Sequence, residues 1–283
     1  RWLWRLKTLA TGAQDAAERL TGASALPGRD EVLDWARALD AALADPPASL
    51  KPAPRPAPTP PLDARPTRLA VTQVEAWVRD PYAVYARNVL RLYPLDRPDE
   101  PVDARTRGSA IHTAMEDFAE AWLSYSPAER ATSFAHLYIK ALTDFGAPST
   151  ALTRERPLAL RAGHWIADFE LARRAAPVQV LVERQVRLQL EGLDFTLTAR
   201  ADRIEIAGGR VHVIDFKTGA APSKPQVRLH FNGQLPLTAA MVVRGGLPGV
   251  SGVQPGELLY VQVTGRHPPG KEEFRGRPGQ PEA

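Results

Sequence analysis

The sequence predicts an α/β (α+β) fold: a mixed β-sheet flanked by helices, with extra helices ahead of it. Three observations lead there. Ile111, Met115, Phe118 and Trp122 recur at helical spacing, and strand-like runs follow near 178–191, 194–206 and 210–217. Gly208-Gly209 sits between the last two runs as a tight hairpin turn. A second helical stretch over 223–243 and a last strand over 257–264 complete the order. Helices, then strands, then helix, then strand describe a sheet covered by helices.

Taken in order, residues 2–20 and 29–44 each carry helical periodicity, through Trp2, Leu3, Leu6 and Leu9, then Val32, Leu33, Trp35, Leu39 and Leu43. Residues 1–45 are therefore expected to be a helical segment. Residues 46–66 are proline-rich and lack a core pattern, so an extended, semi-rigid linker is expected there. Thr72 with Glu75 has the spacing of a capping box, and Asp80-Pro81 places a proline in the first turn of another helix. Residues 67–265 are long enough for one domain with a sizeable core. From 266 to 283 a flexible tail is expected, with no periodic pattern after 275.

The chemistry is concentrated on the hairpin. Lys217 follows Asp215 by two, so on a strand both side chains share a face while Phe216 points to the core. Asp202 lies on the preceding strand. Two carboxylates and a lysine on one face suit a divalent cation that activates water beside an anion. Asp-x-Lys alone is usually a solvated strand face. Here a second Asp stands across a tight turn, and Thr218-Gly219 ends the strand abruptly. Upstream, Gly108, His112 and Glu116 form a second stripe of their helix. A neutral imidazole can ligate a metal, although by itself the pair reads better as a surface His with a Glu one turn on. Gln234 lies on the later helix, where a lone Gln is ordinarily idle.

The order His112, Asp202, Asp215-Phe216-Lys217-Thr218-Gly219, Gln234 resembles the PD-(D/E)xK nuclease superfamily, and within it the RecB-like nuclease domains. The segment 69–87, with Trp77, Asp80-Pro81-Tyr82 and Tyr85, looks like the start of the nuclease domain in the AddB subunit of bacterial AddAB helicase–nucleases. The resemblance covers about residues 67–265. It departs in two places. Thr238 stands where RecB-like domains usually carry a Tyr, four residues after the Gln, and the chain has no cysteine, so thiolates cannot hold the iron–sulphur cluster of many AddB proteins.

The resemblance implies a PD-(D/E)xK core and a DNA exonuclease that processes double-strand break ends for recombinational repair. His112, Asp202 and Asp215, with the Phe216 carbonyl, would bind Mg²⁺ or Mn²⁺. Lys217 would position the attacking water, and Gln234 would orient a metal water or the backbone. Glu116 would stand in a supporting position. Glu183, on the first strand, either approaches the metal or is an exposed strand residue. The implied partners are a DNA single strand delivered from a duplex end and an AddA-type helicase–nuclease subunit; the implied location is a bacterial cytoplasm. Residues 1–45 would end a preceding helicase-like domain. A catalytically silent DNA-binding or scaffolding domain and a free-standing RecB-like nuclease are the alternatives.

Composition is compatible with this. The net charge is +4, which suits a polyanionic partner. Arg107, Arg200 and Arg203 flank the motif residues as candidate phosphate contacts, the alternative for each being a solvated charge or a carboxylate partner. No apolar run is long enough to span a bilayer, no phosphate-cradling loop for ATP occurs, and the first residue is not Met, which reads as a piece of something longer.

Overall fold

The computed structural model describes residues 29–44, 55, 57–93 and 104–278. The chain divides into two units, Arg1–Pro56 and Ala57–Ala283. In the first, helix α1 (Arg29–Ala44) forms as its periodicity predicts. The helix expected over 2–20 lies outside the described residues.

The second unit is built on a six-stranded sheet of β1 (Arg68–Ala70), β2 (Gln179–Gln189), β3 (Thr196–Ala207), β4 (Arg210–Lys217), β5 (Gln254–Val263) and β6 (Gly270–Gly276). The order is β1-β3-β4-β5-β6, with β2 paired to β3 as well. Strand β3 runs antiparallel to β2 and β4 and parallel to β1, while β4 and β5 are parallel. Gly208 and Gly209 turn the β3–β4 hairpin at φ 56° and 71°, the left-handed pair that a two-residue turn demands and glycine supplies without strain.

Helices cover both faces. On one, α4 (Ala104–Glu120), α5 (Arg130–Asp144) and α6 (Ser149–Arg173) bury Met115, Phe118, Phe134, Leu142, Ile166 and Phe169 against Ile214, Phe216, Leu259 and Val261. Helices α5 and α6 touch backbone to backbone: a Cβ at Gly163 would lie 2.2 Å from the Ala131 carbonyl oxygen. On the other face, α7 (Lys224–Arg228) and α8 (Gln234–Val243) form the crossover that a parallel β4–β5 pair requires. There Leu235, Ala239 and Val242 pack on Val211, Val213 and Tyr260. Helices α2 (Val71–Arg79) and α3 (Pro81–Val84) follow β1. Asp80 caps α3, accepting from the Tyr82 amide at 3.1 Å ahead of the expected first-turn proline.

Three sequence expectations are corrected. The single helix over 223–243 is two, because Ser223 caps the first and His230, at φ 61°, breaks the chain before Gly233 opens the second. The Thr72–Glu75 box does not form: α2 starts at Val71, and the Gln73 side chain reaches back to the Ala70 amide at 3.0 Å. The tail drawn from 266 is in part strand β6, whose residues 270–276 pair antiparallel with β5. The first unit ends at Pro56, and within the stretch drawn as linker a 3-10 turn forms at Leu62–Ala64.

Candidate active site

The β3–β4 hairpin, α4 and α8 converge at the C-terminal end of β4. Asp215 stands on β4 beside Tyr260 of the parallel strand β5 and is buried. Its Oδ1 accepts from the Gln234 side-chain amide at 2.7 Å. Its Oδ2 lies 2.5 Å from the Lys217 ammonium, yet has no hydrogen bond of good geometry. Asp202 on β3 accepts the Phe216 amide at 2.9 Å and lies 3.3 Å from His112 Nδ1 through the same oxygen. The ring of Phe216 meets His112 edge-on, with centroids 6.5 Å apart, so the core residue of Asp-Phe-Lys also sets the imidazole.

These contacts order the charges. Desolvation, then the charge of Asp202, pushes the Asp215 carboxyl well above the usual carboxylate range, against the pull of Lys217. Burial of His112 favours its neutral form, but the hydrogen bond and charge of Asp202 together outweigh it and raise the imidazole. Desolvation, followed by the Asp202 charge, raises Glu183 as well, with Arg200 opposing. A cluster of carboxyls that resist ionisation together is short of positive charge.

Glu183 is more central than its sequence context indicates. Donor atoms of His112, Glu183 and Asp202 lie within 4.8 Å of one another. Register places Glu183 across from Asp202, at the one step of the β2–β3 ladder where pairing lapses. Its φ is 50°, a left-handed conformation unusual for a residue with a Cβ. That kink turns a strand carboxylate toward the imidazole. The clustered donors are one nitrogen and two carboxylates, a set that fits a hard divalent ion such as Mg²⁺ or Mn²⁺.

A support layer escaped the sequence reading. Glu75 of α2 accepts the Gln234 backbone amide at 2.7 Å and the Asn232 side-chain amide at 3.3 Å, capping α8 from another helix. Desolvation raises the Glu75 carboxyl despite those donors. Tyr260 donates to Asn232 Oδ1 at 2.6 Å, and its ring centre lies 5.8 Å from Lys217 Nζ. Thr238 is buried in α8, so the aromatic ring nearest the lysine comes from a strand instead. In the sequence, Glu75 stands out only through its capping-box spacing to Thr72, and Tyr260 only as part of the expected last strand.

The remaining candidates divide. Glu116 is half-buried on α4, close enough for Glu183 to feel its charge. Arg200 is exposed and pairs with Glu183. Arg107 donates to the buried Glu155 at 2.8 Å. Arg203 is corrected as a phosphate contact: it has no exposed side-chain surface and is held between Glu170 and Glu205. It faces α6, with its guanidinium 5.8 Å from the Phe169 ring centre.

The sequence model of the PD-(D/E)XK nuclease superfamily matches residues 68–283. An uncharacterized protein of Rickettsia bellii is 25% identical over 184 residues, 64% of this chain and 22% of that protein. The uncharacterized protein RC0550 of Rickettsia conorii is 25% identical over 214 residues, 72% of this chain and 26% of its own length. The chain thus spans about a quarter of the length of these curated relatives. Among solved structures, one titled "Crystal structure of SSO0001" covers 59% of this chain and 77% of its own at 17% identity, with a TM-score of 0.24.

Proposed function

The chain belongs to the PD-(D/E)XK nuclease superfamily, and from that premise we propose that it is the Mg²⁺-dependent DNA nuclease domain of an AddB-type subunit, which processes duplex ends for recombinational repair. The observation that carries the nuclease reading is the convergence of Asp202, Asp215, Lys217, His112 and Gln234 at one strand end. Segment 69–87 and the short span relative to longer relatives favour a domain of a larger, motor-coupled protein. No helix among the described residues is long and apolar enough to cross a membrane, which suits a DNA substrate in a bacterial cytoplasm.

His112, Glu183 and Asp202 would hold the ion, joined by Asp215 and the Phe216 carbonyl. The ion supplies the charge that polarises the phosphate and acidifies water. Gln234 fixes the Asp215 carboxylate through Oδ1, while Oδ2 meets the Lys217 ammonium. Lys217 then turns from Asp215 to the phosphate, orienting the attacking water and offsetting charge that grows in the transition state. Glu116 helps to orient Glu183. Arg107 and Arg200 steer the polyanion.

The test is cleavage of linear DNA by the chain with and without Mg²⁺. Slow, ATP-independent cutting of single strands, lost in Asp215→Ala, is expected. Long blunt duplexes should survive until an AddA-type motor subunit and ATP are supplied, after which Asp215→Ala should spare one strand. Absence of Mg²⁺-dependent cutting on every substrate refutes the nuclease assignment, and efficient duplex digestion by the chain alone refutes the motor-coupled one.

A further inference from the structure

A groove of about 350 Å³ opens along β1, β2 and β3. Arg68, Gln185, Arg187, Thr198 and Arg200 line it. No carboxylate is among its lining residues. The Arg187 guanidinium donates to the neutral Gln185 at 3.1 Å, and the Arg200 guanidinium pairs with Glu183. Two guanidiniums with no carboxylate in the lining, and a third balanced by Glu183, leave the concavity positive enough to draw in an anion.

The groove is joined to the ligand cluster through that Arg200–Glu183 pair, because Glu183 shares the cluster with His112 and Asp202. Along β3, Thr198, Arg200 and Asp202 follow at two-residue steps, about 7 Å each on a strand, similar to the step between phosphates in an extended nucleic-acid strand. Guanidinium forks match phosphate oxygens two to two. The volume is at the small end of ligand sites, which run from about 300 to 1,000 Å³.

We propose that this groove binds the phosphates of a single DNA strand next to the bond being cut. Arg68 and Arg187 make the standing contacts. Arg200 exchanges Glu183 for a phosphate when the strand arrives, which releases the Glu183 carboxylate toward the cation site. The inference rests on the nuclease reading of the cluster.

The full chain in EDTA is titrated into a fluorescein-labelled thymidine dodecamer and followed by anisotropy over a range of NaCl. The double variant Arg68→Gln/Arg187→Gln should bind about tenfold more weakly near 100 mM salt. Its slope of log K against log salt should fall by about 1.4, two contacts at about 0.7 each for a single strand. Arg68→Lys/Arg187→Lys should recover part of the affinity, and Arg210→Gln, on the first residue of β4, should bind as the unaltered chain does. Unchanged affinity and slope in the Gln double variant overturn the proposal. So does an equal loss on a blunt duplex, which would make the groove a general basic patch. Asp215→Ala keeps the two ideas apart: it should bind the dodecamer yet not cut it in Mg²⁺. If it cuts, the nuclease reading of the cluster fails while the groove's binding is still measured.

Discussion

Asp215→Asn should stabilise the metal-free protein at alkaline pH and lose that advantage in acid. Burial, aided by the charge of Asp202, pushes the Asp215 carboxyl from 3.8 up to about 7. The folded state therefore binds a proton more readily than the unfolded state. The stabilisation from that proton is complete below about 3.8 and drains away as the pH rises toward 7. At about 1.4 kcal/mol per pH unit, the native chain should lose about 3 kcal/mol between pH 5 and pH 8 through this one group. The Asn variant should not. Asn also removes the ion pair of Lys217 with Oδ2; that pair forms only when Asp215 is ionised, and its pull is already contained in the raised carboxyl. Urea unfolding in EDTA at pH 5 and pH 8 measures it. A variant-minus-native stability that stays constant between the two refutes the argument that burial and like charge strain this carboxylate. Mn²⁺ at pH 8 should then stabilise the native chain and leave the variant nearly unmoved, because the ion relieves a charge that the variant lacks.

Three further outcomes follow from the geometry. Lys217→Ala should lower the cleavage rate by about a hundredfold or more, as removal of a transition-state donor does, while calorimetric Mn²⁺ binding persists; a wild-type rate would exclude the assigned role. Glu183→Gln should weaken Mn²⁺ binding about as much as Asp202→Asn does, since both carboxylates share the imidazole's neighbourhood; wild-type affinity in Glu183→Gln would return this residue to a plain strand position. Glu75→Ala removes the cap of α8 and should cost about 1 kcal/mol in urea unfolding, with kcat falling more than KM rises because Gln234 loses its anchor; Glu75→Gln, which keeps an acceptor, should restore most of both.

Much of this site is legible in the chain because its determinants are local. Alternation on a strand puts Asp215 and Lys217 on one face and Phe216 in the core, and the pair Gly208-Gly209 can hardly be anything but a two-residue turn. The same local logic places His112 on the polar edge of an amphipathic helix. It also sets the order of strands and helices, including the crossover before β5.

Tertiary structure decided what depends on neighbours far along the chain. Arg203 reads like Arg200 in sequence, yet it meets α6 and ends up sealed between Glu170 and Glu205, while Arg200 stays exposed beside Glu183. Glu75 has the spacing of a local capping box but caps a helix 159 residues away. Glu183 joins the cluster through a left-handed backbone that no residue type at that position announces. Charge, propensity and alternation act over a few residues and are written in the sequence; whether a charge is buried, and which partner then satisfies it, is fixed only when the sheet and its two helical layers close.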